Sequence, residues 1–473
     1  MHVLQVLPRL DVGGVERGVV DLAKGLLARG HRVSVDSAGG ALVGRLTQLG
    51  AVHYTLPVHE KSPGAAWSCL ARLTDLIRAT GVDLVHARSR VPAVSSFAAC
   101  RRSQRPFVTT AHGFYSPHLA SRIMLWGRLV IVPSEALGRY LVEQFRFPRE
   151  RLRIVPRGVD LDEFPFQPLP LTHDGPWRIG LFGRLSRLKG HEVALRACAE
   201  LLREGLPVKL CVTGTPEESP MGRHLASCVE SLKLQGAVEW LGVRQDLATL
   251  IASTDLVLVP STYPESFGRS VVEAQAVGRP VVASKIEALS EVVEDGHSGL
   301  LVPPGDPHAL AGAVKRLIHD ADLRARCVQA GRRQVEAQYR LDQMVERTLA
   351  VYEECLLEPR VLVWKLGALG DVILATPSLR AIRRHFPRGR LTLIVGRGAY
   401  EVVARCPYLD DVIIYDPRRK DRGPLRRLAL LRRLTREAFD LSVDLQNSRF
   451  THLMAWLAGI PVRIGYDRKG GWR

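Results

Sequence analysis

The most constraining feature of this 473-residue sequence is a repeated alternation of short apolar runs with longer helical patterns. Such alternation is typical of parallel strands joined by right-handed crossover helices. The strands predicted in the first part of the chain are His2–Leu7, Arg32–Ser37, Val52–Leu56, Asp83–His86, Phe107–Thr110 and Leu129–Val132. The pattern therefore predicts a doubly wound, parallel α/β sheet.

The alternation is interrupted twice, by a proline-rich stretch near residues 156–176 and by Pro359. Further strands are predicted between the breaks at Arg178–Phe182, Lys209–Thr213, Val238–Leu241, Leu256–Pro260 and Pro280–Ser284, and after them at Arg360–Leu366, Leu391–Val395, Asp411–Tyr415, Leu441–Asp444 and Arg463–Tyr466. We expect domains at 1–165 and 175–340, a closing helix at 341–358, and a third, Rossmann-like half unit at 360–473. The first two would face a cleft at the carboxyl ends of their strands.

Composition excludes several classes of protein. The eight cysteines form no CxxC pair, so neither a metal site nor a disulfide framework is predicted, and a reducing cytoplasm is the expected location. The sequence has no apolar run of about 18 residues and no signal-peptide pattern at its N-terminus. The net charge of +18 fits nucleic acid, an anionic membrane surface, a phosphorylated substrate or a merely solvated basic face. Because no nucleic-acid-binding motif is found, no nucleic-acid partner is expected.

A glycine turn follows the first predicted strand. Gly13 and Gly14 precede a helical pattern, and paired glycines let a phosphate or sugar approach the backbone beside a helix N-terminus. The spacing is neither GxGxxG nor GxxxxGK[ST], which disfavours dinucleotide and P-loop sites. An ordinary tight strand-to-helix turn is the alternative.

Two cations bracket the corresponding turn of the second block. Arg184 and Lys189 lie between Gly183 and Gly190, just before a helical pattern. Cations beside a helix N-terminus suit a diphosphate. Two solvated surface side chains are the alternative.

The most specific motif contains two glutamates, Glu265 and Glu273, with Phe267 and Gly268 between them. Eight residues span about 2.2 helical turns, so the two carboxylates are expected to face a similar direction. One can accept hydroxyls of a hexose and the other a ribose diol, while free N–H groups at the helix start meet phosphate oxygens. The alternative is that Glu273 is an ordinary helix-surface residue.

Taken together, these motifs resemble glycosyltransferase family four, the large retaining family of the GT-B fold. The resemblance covers residues 1–357 and includes Val155–Asp160, where Asn is commoner than Arg157, as well as Gly278–Ala283 and Gly296–Val302. It implies two Rossmann-like domains facing a cleft and a nucleotide-diphosphate sugar as co-substrate. No metal or other cofactor is expected, because no DxD motif stands where a metal-dependent transferase would need one.

The resemblance also implies roles for individual residues. Arg184 and Lys189 would neutralise the leaving diphosphate. Glu265, assisted by the backbone of Phe267 and Gly268, would hold the donor sugar, and Glu273 would hold the ribose. The remaining expected site residues are Gly13 and Gly14 beside the donor, Arg244 near the base, and His112 at the sugar or phosphate, for which a capping or core histidine is the alternative.

The acceptor is expected on the first domain, where we predict polar residues in the loops after strands: His86, Arg88, Arg90, Tyr115 and His118. A glycolipid or polysaccharide acceptor in cell-envelope or lipopolysaccharide assembly is the leading hypothesis, and cations there would suit an acidic or phosphorylated glycolipid. The alternatives are a GT-B nucleotide-sugar 2-epimerase and a sugar-nucleotide-binding scaffold with a degenerate site.

The third unit has motifs of its own, at Lys365–Val372, Thr376–Leu379, Val443–Asn447 and Arg463–Asp467. They resemble the N-terminal half of a lipopolysaccharide-core heptosyltransferase of glycosyltransferase family nine. The resemblance implies Asp371 as general base, with a helix N-cap as the alternative, and an absent nucleotide-binding partner domain, so the unit is expected to be inactive alone.

Arginine and leucine dominate Arg418–Arg436 in the third unit. Its helical part, Pro424–Arg436, fits either a peripheral contact with the inner face of the cytoplasmic membrane or a crossover helix with buried leucines. The crossover helix is the favoured interpretation.

Overall fold

A computed structural model of the protein describes residues 1–11, 13–60, 63–169, 175–244, 246–417 and 421–466. Three β-sheets are present, every strand pairing given for them is parallel, and helices pack on them, which confirms the predicted α/β fold class. Some predicted features lie outside the described residues: Val12 of the glycine turn, residues 170–174 of the linker, residues 418–420 of the basic segment, and Asp467.

The first sheet has seven strands in the order β3-β2-β1-β4-β5-β6-β7. They are β1 (His2–Val6), β2 (Arg32–Ser37), β3 (Val52–Thr55), β4 (Leu84–Ala87), β5 (Phe107–Thr110), β6 (Val130–Val132) and β7 (Leu152–Ile154). The helices are α1 (Gly14–Leu27), α2 (Val43–Gln48), α3 (Pro63–Thr80), α4 (Arg90–Ser103) and α5 (Glu135–Phe145), with 3₁₀ turns at Leu119–Leu125 and Arg149–Arg151. β7 was not predicted, because a three-residue edge strand containing Arg153 has no clear apolar pattern.

The second sheet has six strands in the order β10-β9-β8-β11-β12-β13. They are β8 (Trp177–Leu181), β9 (Val208–Val212), β10 (Val238–Trp240), β11 (Leu256–Val259), β12 (Val281–Ser284) and the unpredicted β13 (Leu300–Val302). The helices are α6 (His191–Arg203), α7 (Pro220–Ser231), α8 (Leu247–Ala252), α9 (Arg269–Val277), α10 (Glu287–Ser290), α11 (Pro307–His319) and α12 (Ala321–Gln338), with 3₁₀ turns at Arg187–Lys189 and Pro216–Glu218.

We call the parts of the chain built on the three sheets the first, second and third units. Helix α13 (Leu341–Leu357) follows the second unit but packs on the first unit, against α1. Its Tyr352 is buried, and the hydroxyl lies 2.7 Å from Nδ1 of His86 in β4. Gly25 permits the close packing of α13 on α1, since a Cβ at this position would lie 2.3 Å from the side chain of Val345 in α13. The two units are therefore joined by this helix as well as by the linker.

The third sheet has five strands in the order β16-β15-β14-β17-β18. They match the predicted strands: β14 (Arg360–Lys365), β15 (Arg390–Val395), β16 (Asp411–Ile414), β17 (Leu441–Asp444) and β18 (Val462–Gly465). The helices are α14 (Leu369–Leu374), α15 (Thr376–His385), α16 (Tyr400–Val403), α17 (Pro424–Glu437) and α18 (Arg449–Leu457), with a 3₁₀ turn at Arg397–Ala399.

Helix α17 lies on the third sheet as a crossover between β16 and β17. Leu430 and Leu434 are buried in the core of this unit, whereas Leu425 and Leu428 are exposed. The crossover interpretation of this basic segment is therefore supported. No helix within the described ranges has both the length and the apolar character that crossing a bilayer requires.

The third unit docks on the first through a buried ion pair. Arg128, which precedes β6, lies 3.0 Å from Asp440, and Arg128 also donates to the carbonyls of Cys355 and Glu358. Asp440 in turn accepts the backbone N–H of Arg360 at 2.7 Å. Burial raises the pKa of Asp440, and the Arg128 charge opposes that rise. This contact ties the start of the third sheet to the first unit.

The ionisation of Asp36 is expected to make the free energy of unfolding depend on pH. Its side chain is completely buried in β2, and burial raises its pKa to about 8, an effect that the backbone N–H of Leu56 opposes only in part. The unfolded chain releases this proton near pH 4, whereas the folded protein keeps it until about pH 8. Raising the pH across that window therefore favours unfolding, by up to about 1.4 kcal/mol per unit.

We expect Asp36→Asn, which is neutral at every pH, to remove this dependence. Calorimetric melting at pH 5, 7 and 9 measures it, and the variant should gain most over the wild type at pH 9. An identical pH dependence of melting in both proteins would show that Asp36 does not retain its proton.

Candidate functional site

Lys189 and Glu265, 76 residues apart in sequence, are in direct contact at the carboxyl edge of the second sheet. Nζ of Lys189 donates to Oε1 of Glu265 at 2.6 Å, and the hydroxyl of Ser261 donates to the same oxygen. Both side chains are partly buried. The ammonium and carboxylate are thus held in one place, where each retains capacity for a further polar ligand.

Two glycines bring the helices of this edge close to the sheet. Gly190 caps α6 with φ 67°, and a Cβ there would lie 1.8 Å from the carbonyl oxygen of Pro260. Gly268 caps α9 with φ 114°, and a Cβ would lie 2.7 Å from Leu289. Only glycine fits both positions. The N-termini of α6 and α9, with their free N–H groups, therefore flank the Lys189–Glu265 pair, an arrangement suited to an anion.

The other predicted residues of the second unit have different environments. Arg184 is exposed and forms no ion pair with any described residue. Phe267 is buried against Tyr339, with ring centroids 5.6 Å apart. Arg244 is exposed, and its Nε donates to Asp246 at 2.8 Å, so the structure does not bring it into contact with the other predicted site residues.

Glu273 is buried rather than on a helix surface, and it takes part in ion pairs that cross the cleft. Its Oε1 accepts from Arg269 at 2.8 Å and lies 3.4 Å from Arg17 of α1. Arg269 also bonds Asp21 of α1 at 2.8 Å. The Arg17 guanidinium also bonds Glu163, near the end of the first domain, at 2.9 Å. We call these five residues the cross-cleft network. A ribose at Glu273 would have to share the carboxylate with arginine.

The glycine turn of the first unit lies beside this network. Gly13 has extended backbone and caps α1, and Nη1 of Arg269 lies 3.4 Å from the carbonyl oxygen of Gly14. A Cβ on Gly14 would meet nothing within 4 Å. The turn therefore faces the start of α9 with open space next to Gly14, as a ligand in the cleft would require.

His112, which follows β5, occupies the same face of the first unit. Its Nδ1 contacts the guanidinium of Arg157, and its buried Nε2 has no hydrogen-bond partner among the described residues. Burial, with Arg157 and Arg88 nearby, lowers the pKa of His112 well below its usual value. The residue is therefore a neutral imidazole, and its remaining nitrogen is available to a ligand.

The prediction that placed His86 in an acceptor-binding loop is wrong. His86 lies inside β4, is completely buried, and bonds Thr110 at 2.6 Å and Tyr352 at 2.7 Å. The strand predicted at Asp83–His86 already contained His86, and β4 continues one residue further, to Ala87, so the imidazole lies within the sheet and not in the following loop. Arg90, by contrast, starts α4 and packs over the ring of Tyr115 at 5.1 Å.

Asp371 stands in the first turn of α14 and lies 3.4 Å from Nζ of Lys365. The alternative that it caps the helix is wrong, because the cap is Ala368 and Asp371 is three residues further on. Gln446, another residue of the third unit's motifs, lies near Gly367 with its buried Oε1 unpaired within the described chain. The motif residues of the third unit therefore gather at the ends of β14 and β17.

One group in the described part of the chain has the composition of a metal site: Glu192, His224 and Cys228, on α6 and α7. Nε2 of His224 lies 3.3 Å from Glu192 and 3.6 Å from Sγ of Cys228. Arg196 already pairs with Glu192 at 2.6 Å. The group includes none of the predicted site residues, and the expectation of a metal-independent donor site stays a prediction.

Sequence reasoning missed the residues that cross the cleft. Arg17 and Asp21 lie four residues apart on the buried side of α1, and charged residues within an apolar helix face are a signal of burial in a polar network. Arg269 lies inside the two-glutamate motif but resembles an ordinary helix-surface residue. Their partners on the other unit could not be identified without the arrangement of the two units.

Comparison with known proteins identifies the family to which the chain belongs. Residues 12–163 match the family model "Glycosyltransferase Family 4", and residues 167–334 match "Glycosyl transferases group 1". A D-inositol 3-phosphate glycosyltransferase of Acidothermus cellulolyticus is 35% identical over 339 residues, which cover 64% of this chain and 74% of that protein. The enzyme of the same name from Corynebacterium jeikeium is 37% identical over 211 residues, but the alignment spans only 50% of its length and 41% of this chain.

Among solved structures, a glycosyltransferase from Rickettsia africae superposes with a TM-score of 0.68 at 27% identity. The match covers 75% of this chain and 98% of that one. The two Rossmann-like units and the cleft between them are thus the GT-B arrangement, and the chain belongs to the glycosyltransferases of family 4 and group 1.

Proposed function

We propose that the protein transfers a sugar from a nucleotide-diphosphate sugar, bound between its first two units, to an acceptor on the first unit. The contact between Lys189 and Glu265 carries the proposal. It places a cation, and a carboxylate that can accept hydrogen bonds from sugar hydroxyls, beside two helix N-termini. The ammonium suits the diphosphate and the carboxylate suits sugar hydroxyls. Named relatives that transfer sugars agree with this reading.

The chemistry follows from where charge develops. Breaking the glycosidic bond leaves negative charge on the departing diphosphate, which Lys189, the exposed Arg184 and the N–H groups at the start of α6 would stabilise. Glu265 would fix the sugar, and Glu273 the ribose. Retention, with the leaving phosphate taking the acceptor proton, is part of the proposal and requires no protein nucleophile. No metal is assigned to this step.

The acceptor is proposed to be a glycolipid or polysaccharide of the cell envelope, including lipopolysaccharide, handled at the inner face of the cytoplasmic membrane. Basic residues of the first unit and the net charge of +18 support an anionic surface nearby. The relatives from Acidothermus cellulolyticus and Corynebacterium jeikeium are called D-inositol 3-phosphate glycosyltransferases, a name that refers to a phosphorylated substrate.

The third unit is proposed to be the N-terminal half of a family-nine heptosyltransferase-like domain. Its five-stranded parallel sheet and the contact of Asp371 with Lys365 support the proposal. Asp371 would serve as general base only with a nucleotide-binding partner domain. We expect no transfer by this unit alone.

Two other functions make different predictions. A 2-epimerase would convert a nucleotide sugar into its epimer without an acceptor, and a binding scaffold would bind the donor and leave it unchanged. Incubation of the donor with the protein, with and without a membrane-lipid extract, separates the three. Transfer that depends on the extract supports the glycosyltransferase.

Removing either member of the central pair is expected to abolish transfer. Lys189→Ala removes a charge at the developing phosphate, and Glu265→Ala removes the carboxylate that accepts the sugar hydroxyls, so each should lower the rate by about 100-fold or more. The measurement is sugar transfer to lipid extract at saturating donor. Lys209→Ala is the matched control, since Lys209 also pairs with a glutamate, Glu239 at 3.2 Å, and should retain activity. Near-normal turnover in either site variant, with melting unchanged, would reject this site.

A nucleotide-sugar screen identifies the donor. UDP-, GDP- and ADP-sugars are compared for thermal stabilisation, because a ligand at 100 times its dissociation constant adds about 2.7 kcal/mol to stability. We expect one nucleotide class to raise the melting temperature of the wild type and to have a smaller effect on Lys189→Ala. A flat response to all three classes at millimolar concentration would contradict the donor site.

A further inference from the structure

Two guanidinium groups of the first unit, those of Arg88 and Arg157, lie close enough for the charge of one to affect the other, and neither forms an ion pair with a carboxylate among the described residues. Arg88 follows β4 and is 4% exposed, and its only side-chain hydrogen bonds within the described residues go to Oε1 of Gln5, at 2.7 and 3.2 Å. Arg157 follows β7, and its guanidinium contacts the neutral imidazole of His112. Neither contact supplies negative charge.

The acidic groups nearby are already committed to other cations. Asp21 bonds Arg269 at 2.8 Å, and Glu273 accepts from Arg269 as well. Burial, followed by the nearby charges of Arg88 and Arg269, lowers the pKa of Arg157 to about 9, and the charge of Asp21 opposes this only in part. Burial likewise lowers the pKa of Arg88. A folded protein keeps such uncompensated buried cations at a cost, which is typical of a site that awaits an anion.

Three observations place these groups at the cleft. Nη1 of Arg157 would lie 3.1 Å from a Cβ on Gly18, and Arg269 of the second unit reaches the same glycine at 4.0 Å. Arg88 and Arg157 both follow strands of the first sheet at their carboxyl ends, where ligands of open α/β sheets bind. His112 adds a buried nitrogen with no partner in the described chain.

We propose that Arg88, Arg157 and His112 form a pocket for a phosphate-type anion carried by the acceptor. The planar guanidinium groups suit the bidentate recognition of phosphate oxygens. Because Nδ1 of neutral His112 accepts from Arg157, its Nε2 carries the proton and can donate one hydrogen bond to a phosphate oxygen. The donor diphosphate has its own cations, Arg184 and Lys189, on the opposite unit. The inference rests on the proposed function and specifies the acceptor class: a sugar or lipid headgroup bearing a phosphate group.

The test separates the acceptor's phosphate from the donor's diphosphate. The full chain is first saturated with the nucleoside diphosphate that binds best by calorimetry. Inorganic phosphate is then titrated while the melting temperature is followed, and sodium chloride is adjusted to hold the ionic strength constant. The variants are Arg157→Asn and Arg88→Gln, and the charge-matched control is Arg149→Gln, whose exposed side chain pairs with Glu135.

We expect a saturable rise in melting temperature with phosphate for the wild type and Arg149→Gln. The half-saturating concentration should increase about tenfold or more in Arg157→Asn, because hydrogen bonds to charged groups are lost. Affinity for the nucleoside diphosphate should stay within about threefold. Because Arg88→Gln changes a buried position, its melting temperature without ligand is first compared with that of the wild type. If Arg88→Gln does not fold, Arg157→Asn alone decides the outcome.

Two results would overturn the inference. Phosphate that stabilises no more than chloride does would show that the pocket binds no such anion. Parallel weakening of phosphate and nucleoside diphosphate by Arg157→Asn would assign the pair to the donor. Failure of every nucleoside diphosphate to bind is a different result: it would reject the proposed function, while phosphate binding lost in Arg157→Asn would still establish the pocket.

Discussion

The ion pairs between α1 and α9 are the contact on which the arrangement of the site depends. Arg269 bonds a carboxylate on each side of the cleft, Asp21 and Glu273, and thereby sets the glycine turn of one unit against the helix start of the other. Burial alone would lower the pKa of Arg269, but the charges of Asp21 and Glu273 raise it. Buried pairs of this kind contribute little net stability, because desolvation offsets attraction. Their value here is geometric, since a wrong arrangement of the units would leave charges unpaired.

The second unit contributes a preorganised electrostatic environment. Gly190 and Gly268 have backbone conformations that favour glycine, and added side chains at either would collide with neighbouring atoms. The helices they cap therefore start close to the strand ends and direct free N–H groups to the same place as Lys189. Donors fixed before the reaction require no reorganisation when charge develops on a leaving phosphate. The first unit adds its own cations, so an acceptor and a donor would meet between two basic surfaces.

Much of the fold followed from periodicity, because buried parallel strands are near-continuous apolar runs. The edge strands β7 and β13 were not predicted, because each is only three residues long and β7 contains an arginine. The contact of Lys189 with Glu265 was foreseeable, since both follow strands whose carboxyl ends share one edge. The cross-cleft pairs were not, because they depend on how the first two sheets face each other. His86 was misplaced for a related reason: its partner Tyr352 comes from a helix 266 residues later.

The central claim is that one crevice between the first two units holds the activated sugar. A crystal structure of the full chain with the bound nucleoside diphosphate tests it most directly. We expect the terminal phosphate within hydrogen-bond distance of Nζ of Lys189, and the position of the sugar between Glu265 and Gly14. A nucleotide found elsewhere, with Lys189 and Glu265 still paired only to each other, would contradict it.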